Sequence, residues 1–259
     1  MEMNRQAMEE LRYAKILLEN VSFAAKIAGA IGLPFEKGLQ SLPTRFSDVI
    51  GQATRTALQR ALEFAVRTMD KGGSRPSSDL FHKMAVFATG AGGGAFGLAG
   101  LPVELPVSTT IMLRSIADVA RSQGELVHVP EAKLACIQVF ALGGRSRADD
   151  GAELGYFAVR TALSKAITEA AQYIAERGLA FHGAPPVIRF IGQVASRFGV
   201  TISEKLAAQA VPVAGAAGAA FLNLIFMDHY QDVARGHFIV RRLERTYSPE
   251  VVQTTYTAL

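Results

Sequence analysis

Two almost uncharged stretches constrain this chain more than any other feature. Residues 84–107, MAVFATGAGGGAFGLAGLPVELPV, carry one charge, Glu104, and place six glycines within the eleven residues from Gly90 to Gly100. Residues 206–227, LAAQAVPVAGAAGAAFLNLIFM, carry none. Glycine inside a helix costs about 1 kcal/mol relative to alanine, so helix propensity does not explain these glycines. They serve either a repeatedly turning backbone or the close approach of a second helix. Gly90, Gly93, Gly94 and Gly97 fit the spacing of small residues in close helix packing, and Gly215 and Gly218 begin a similar pattern in the second stretch. The spacing predicts that the two stretches pack on each other at the centre of a helical bundle. A membrane span needs ~20 apolar residues. Alanine and glycine are weakly apolar, and Pro102, Glu104 and Pro106 interrupt the first stretch at once. A buried hairpin is therefore preferred over a simple span, with a hairpin that swings out into lipid as its variant.

The rest of the chain has helical periodicity and no convincing period-two alternation, which predicts an all-α fold, a single multi-helix bundle. Residues 4–30 read as one helix and residues 45–69 as a second, forming an N-terminal helical pair over 4–70. KGGSRPSS at 71–78 reads as a linker. A helical core follows over 79–247, with Pro106 starting a helix at its first turn and Gly124 ending it. Further helices are predicted at 130–142, 153–177, 187–198 and 203–210, then one long helix to about Tyr247. Residues 248–259 read as a loose tail.

Composition narrows the function classes. The chain has 259 residues, is 49% hydrophobic and only 19% charged, and its net charge is +4. That balance lacks the basic stripe of a nucleic-acid binder, so no nucleic acid is expected as a partner. A single cysteine, Cys136, sits in the apolar run LACIQVFAL and reads as a buried small hydrophobe. The N-terminal residues lack the apolar core and cleavage site of a signal peptide, which predicts a cytoplasmic protein, peripheral at most to the inner membrane.

Two polar constellations stand out. Arg114, Asp118 and Arg121 lie within about 60° on the face that also carries Val107 and Ile111. This predicts an inward-facing ladder, with Glu104 upstream, that clamps helices or offers arginines to an anionic headgroup. The second constellation gathers Asn223, Asp228, His229, Asp232, Arg235 and His237. Asp228, Asp232 and Arg235 share one face, whereas His229 and His237 lie on the apolar side with Phe226 and Val233. Zinc-type His spacing is absent, so no metal is expected and the histidines read as core or helix-clamping groups. No Walker A, nucleophile-elbow or dinucleotide context is present, and no cofactor is expected. The tetrapeptide Asp-Val-Ala-Arg occurs at 118–121 and again at 232–235, a weak internal echo.

Three blocks carry a family resemblance: the glycine run leading into LPVELP and IMLRSIADVARSQGE, the segment LACIQVFALGG…ELGYFAVRTALSKAI, and NLIFMDHYQDVARGHFIVRRLERTY. From roughly Leu42 to Tyr247 they resemble the EcsC protein family. The family takes its name from an operon that also encodes an ABC transporter, so the resemblance implies a membrane-transport partner. Many members carry Asp where this chain has Glu104, which implies that an acid is wanted there. Some are labelled peptidases, yet no nucleophile–base pair is visible here. The expected function is non-catalytic binding of an anionic membrane surface or a lipid-like ligand. The alternatives are a hydrolase using Glu104 or the Asp228/Asp232 face, and a homodimerising interaction protein.

Overall fold

The computed structural model describes residues 3–19, 23–31, 46–68, 100–144, 155–177, 184–209 and 215–259. Among the described residues there are nine helices and no strands: α1 (Arg5–Glu19), α2 (Phe23–Ile31), α3 (Phe46–Thr68), α4 (Leu101–Ser122), α5 (Pro130–Leu142), α6 (Tyr156–Arg177), α7 (Pro185–Gln209), α8 (Gly215–Tyr247) and α9 (Pro249–Ala258). The all-α expectation holds. The linker at 71–78 and the glycines Gly90, Gly93, Gly94 and Gly97 lie outside the described residues, and so does their expected pairing with the second stretch. Gly215 and Gly218 open α8. No helix among the described residues is long and apolar enough to cross a membrane.

Two helices form the centre. In α5 every residue from Ala132 to Ala141 is buried, which explains its lack of a polar face. It is surrounded by α3, α4, α6, α7 and α8. The 33-residue α8 touches α1, α2, α4, α5, α7 and α9. Between them lies a chain of aromatic contacts: Phe140 to Phe198 at 4.8 Å, Phe140 to Tyr230 at 5.2 Å, Phe226 to Tyr230 at 5.1 Å, and Phe23 to Phe226 at 5.1 Å. Such ring pairs add stability beyond the area they bury. Cys136 lies in this core, and burial pushes its thiol up to about 12, so it stays protonated.

Four elements differ from expectation. The N-terminal segment is described as two helices, with α1 on α8 and α9, and α2 on α7 and α8. Pro106 lies inside α4 because Pro102 already occupies the first turn. Its ring removes the bond that would reach the Pro102 carbonyl, a small loss so near the N-terminus. Residues 187–198 and 203–210 join in one helix, α7, because Phe198, Thr201, Ile202 and Lys205 continue a single buried face through Gly199. The tail is not loose: Pro249 begins α9, and Val252 and Tyr256, four residues apart, are buried with Ala7, Leu11, Tyr156 and Leu243.

Two glycines have geometric work. Gly124, at φ +78, closes α4: the Glu125 amide donates to the Ala120 carbonyl and the Gly124 amide to that of Arg121. This is the left-handed Schellman ending. Gly236 lets α1 cross α8, since a Cβ there would lie 2.7 Å from Leu18 Cγ and 3.0 Å from the Ala14 carbonyl oxygen.

Candidate functional site

Glu104 does not join the Arg114–Asp118–Arg121 group. Its Oε1 accepts from Lys205 Nζ at 2.9 Å and from Asn223 Nδ2 at 3.2 Å. Three helices thus converge on one carboxylate oxygen: α4, α7 and α8. The lysine side chain is 2% exposed and the glutamate 9%. Lys205 also sits 5.0 Å above the Phe226 ring, so the aromatic core supplies part of the stabilisation that water would otherwise give the ammonium. The trio is close to the helix ends: Glu104 about 5 Å from the start of α4, Lys205 about 6 Å from the end of α7, and Asn223 about 12 Å from the start of α8, at 1.5 Å rise per residue. Residues 84–99 precede that end of α4, and residues 210–214 join α7 to α8. Both uncharged stretches therefore meet the described fold at this end, and the charge beneath it is paired.

The stripe expected to face inward faces outward. Val103 is 73% exposed and Val107 46%, and Arg114 on the same stripe is exposed. The buried side of α4 is instead the one bearing Ser108, Met112, Ser115, Ile116 and Val119, which packs on α3, α5 and α8. Asp118 and Arg121 pair with each other while half-buried. Arg114 takes no part in that pair and lies 5.4 Å above the Phe64 ring of α3. The four groups proposed from sequence therefore divide into a sealed Glu104 trio, a surface Asp118–Arg121 pair and a lone Arg114.

The second constellation also divides. Asn223 belongs to the Glu104 trio. Asp232 binds Lys26 of α2 at 2.7 Å and Arg235 at 3.1 Å. The Asp-Val-Ala-Arg echo thus makes the same local ion pair twice, on two helices that pack together. Asp228 is half-buried. His229 meets the Gly143 carbonyl at 2.8 Å and the Phe23 ring at 5.5 Å. His237 is fully buried and its Nδ1 lies 2.8 Å from the Tyr156 hydroxyl. Burial, then the charges of Arg160 and Arg241, hold its pKa well below the ordinary value, so the ring is neutral. Both histidines lie where the apolar-side reading put them. Among the described residues no group of three His, Cys, Asp or Glu side chains converges as a metal site would require.

Sequence reasoning missed three residues. Lys205 was hidden because dividing α7 in two hid the register that turns it inward. Arg160 grips Glu244 with two bonds of 2.7 and 2.9 Å. Glu125 is the third and the most connected. The Schellman ending of α4 swings it back so that its side chain, 6% exposed, receives Arg241 at 2.8 and 3.1 Å, together with Arg245. Burial alone would raise its pKa. The hydrogen bonds and charge of Arg241, followed by those of Arg245, overcome that and hold it below the ordinary carboxylate range. Arg242 completes the cluster, donating to Gln123 at 2.9 Å and to Glu10 at 2.9 Å. The Arg241-Arg242-Leu243-Glu244-Arg245 run, basic in sequence, is therefore largely engaged. A signal existed: the Gln-Gly-Glu that ends one family-like block and the Arg-Arg-Leu-Glu-Arg of another bind each other.

No curated protein and no solved structure shows a match to this chain. The model of the EcsC protein family matches residues 5–243, from the start of α1 to near the end of α8. The match takes in the Glu104 trio, the Asp118 and Asp232 pairs and all of the Glu125 cluster except Arg245; on its extent, the chain belongs to the EcsC protein family.

Proposed function

We propose that this protein binds the surface of an anionic membrane through the end of the bundle above Glu104. The observation that carries the reading is the exposure of Val103, Val107 and Phe221, at 73%, 46% and 49%, around the end where both uncharged stretches join the fold. Apolar side chains in that position gain by entering the boundary between headgroups and acyl chains, and removal from water is favourable by roughly 25 cal/mol per Å². The Glu104–Lys205–Asn223 trio supports the reading, because paired charge beneath the contact spares the membrane an isolated ion. Arg114 follows Val107 by seven residues on the same stripe, about 10 Å along the axis. Helical side chains lean toward the N-terminus, so the Arg114 guanidinium reaches back from there toward the headgroup layer, about 5–7 Å thick, when the valines lie at the acyl boundary.

Vesicle flotation tests this. The wild-type protein floats with anionic vesicles, and V103D/V107D, a change confined to exposed positions, cuts partitioning on the order of tenfold or more. Equal flotation of the variant, with unchanged circular dichroism, would refute the contact surface. The hydrolase alternative needs Glu104 or the Asp228/Asp232 face available to a substrate. Glu104 is held by Lys205 and Asn223, and Asp232 by Lys26 and Arg235, so the geometry favours the binding reading.

A further inference from the structure

The outward turn of α4 brings Arg114 to α3. Its guanidinium lies 5.4 Å above Phe64, and Phe64 is flanked on its own helix by Arg60 one turn before and Arg67 one turn after. Residues at i−4 and i+3 share a helix face with Cβ atoms about 6 Å apart. Helical side chains lean toward the N-terminus, so Arg67 reaches back toward Phe64 and the Phe64 ring toward Arg60. All three arginines are exposed. No salt bridge or hydrogen bond engages any of them among the described residues, whereas the arginines of the α8 terminus are each engaged. Glu63 stands beside them on α3, half-buried, which leaves three guanidiniums to one carboxylate. A favourable interaction with the helix terminus accounts for Arg67 in the last turn of α3, but not for Arg60 or Arg114.

We infer that Arg60, Arg67 and Arg114, gathered round Phe64, form a binding site for a phosphate monoester. Three planar forks with one carboxylate nearby suit a group that carries more than one negative charge and three terminal oxygens, better than a singly charged phosphodiester. The stacked ring holds Arg114 in place without spending its N–H donors. The source of the group is a lipid headgroup such as phosphatidate, or a soluble phosphomonoester. The lipid source rests on the membrane reading above; the site itself does not.

The test compares the full chain with R60K/R67K/R114K, which keeps the charge and removes the forks. Flotation is measured on phosphatidylcholine vesicles containing phosphatidate, and on vesicles containing phosphatidylglycerol at equal surface charge. The wild type prefers phosphatidate on the order of tenfold. The lysine variant matches the wild type on phosphatidylglycerol within about twofold and loses the preference. A second arm titrates glycerol 3-phosphate by calorimetry without vesicles; a heat of binding that disappears in the lysine variant places the site in the soluble class. V103D/V107D separates the two ideas, since it lowers flotation on both vesicles and leaves the glycerol 3-phosphate result unchanged. A wild type that shows neither the phosphatidate preference nor glycerol 3-phosphate binding would overturn the site, and so would a lysine variant that keeps either.

Discussion

Lys205 and Glu104 show how one buried ion pair organises three helices. Desolvating both charges is costly, and their attraction, the Asn223 bond and the Phe226 ring offset that cost. Removing one partner is therefore worse than removing both. K205M or E104Q alone is expected to lose about 3–5 kcal/mol in urea unfolding, because the remaining group is buried without its counter-charge. The double substitution K205M/E104Q is expected to recover a large part of that loss. If the double variant falls by the sum of the two singles, the pair is not coupled as the geometry indicates. At this scale the sequence was partly legible. Glu104 stood out as the lone charge in an apolar run, and the histidines followed the apolar side of their helix. Lys205 did not stand out, because a lysine four residues from a helix end reads as solvated unless the register of the preceding turns is known. Arg114 was misplaced because its face also bore Val107 and Ile111, and apolar neighbours usually mean an inward face. Here Val107 is itself exposed, so the usual inference failed.

At the scale of elements, helix identity was largely readable from period and punctuation, and helix continuity was not. Gly199 looks like a break, yet glycine costs only about 1 kcal/mol in a helix, and the buried face from Phe198 to Lys205 outweighs it. A short terminal segment reads as loose. Val252 and Tyr256 at helical spacing were the overlooked signal, and Lys15 of α1 adds a bond to the Tyr256 carbonyl at 2.9 Å. The α1–α8 crossing gives the prediction for this scale. G236A brings a methyl against Leu18 and the Ala14 carbonyl. The side chain yields more easily than the backbone, so a loss of about 1–3 kcal/mol is expected in chemical denaturation. L18A/G236A should restore part of it by giving the new methyl room; failure to do so would assign the strain to the α1 backbone instead.

For the whole molecule, acid stability follows from two groups whose folded pKa values are both depressed. Unfolded chain binds protons on His237 below about 6.5 and on Glu125 below about 4.5 more readily than folded chain does. Stability from each is present above those values and is lost as pH falls. The first part of the acid limb should begin near 6.5 with a slope approaching about 1.4 kcal/mol per pH unit for one proton. The second should begin near 4.5. H237N is expected to flatten the upper part and E125Q the lower part in unfolding free energies measured across pH. An unchanged limb in both variants would mean that other groups govern acid unfolding.

The length of α8 has a mechanical meaning. Its 33 residues make a rod of about 50 Å. Arg241 and Arg245 fasten one end to Glu125, whereas the other end begins among the uncharged residues. The rod is also gripped along its length, by Lys26 at Asp232, by α1 at Gly236 and by the aromatic contacts of Phe226 and Tyr230. A tilt of roughly 5° about the Glu125 anchorage would move Asn223, about 30 Å away, by about 3 Å. A push at the apolar end therefore acts on a beam clamped through its middle, and the Asn223–Glu104 contact shares that load with the core.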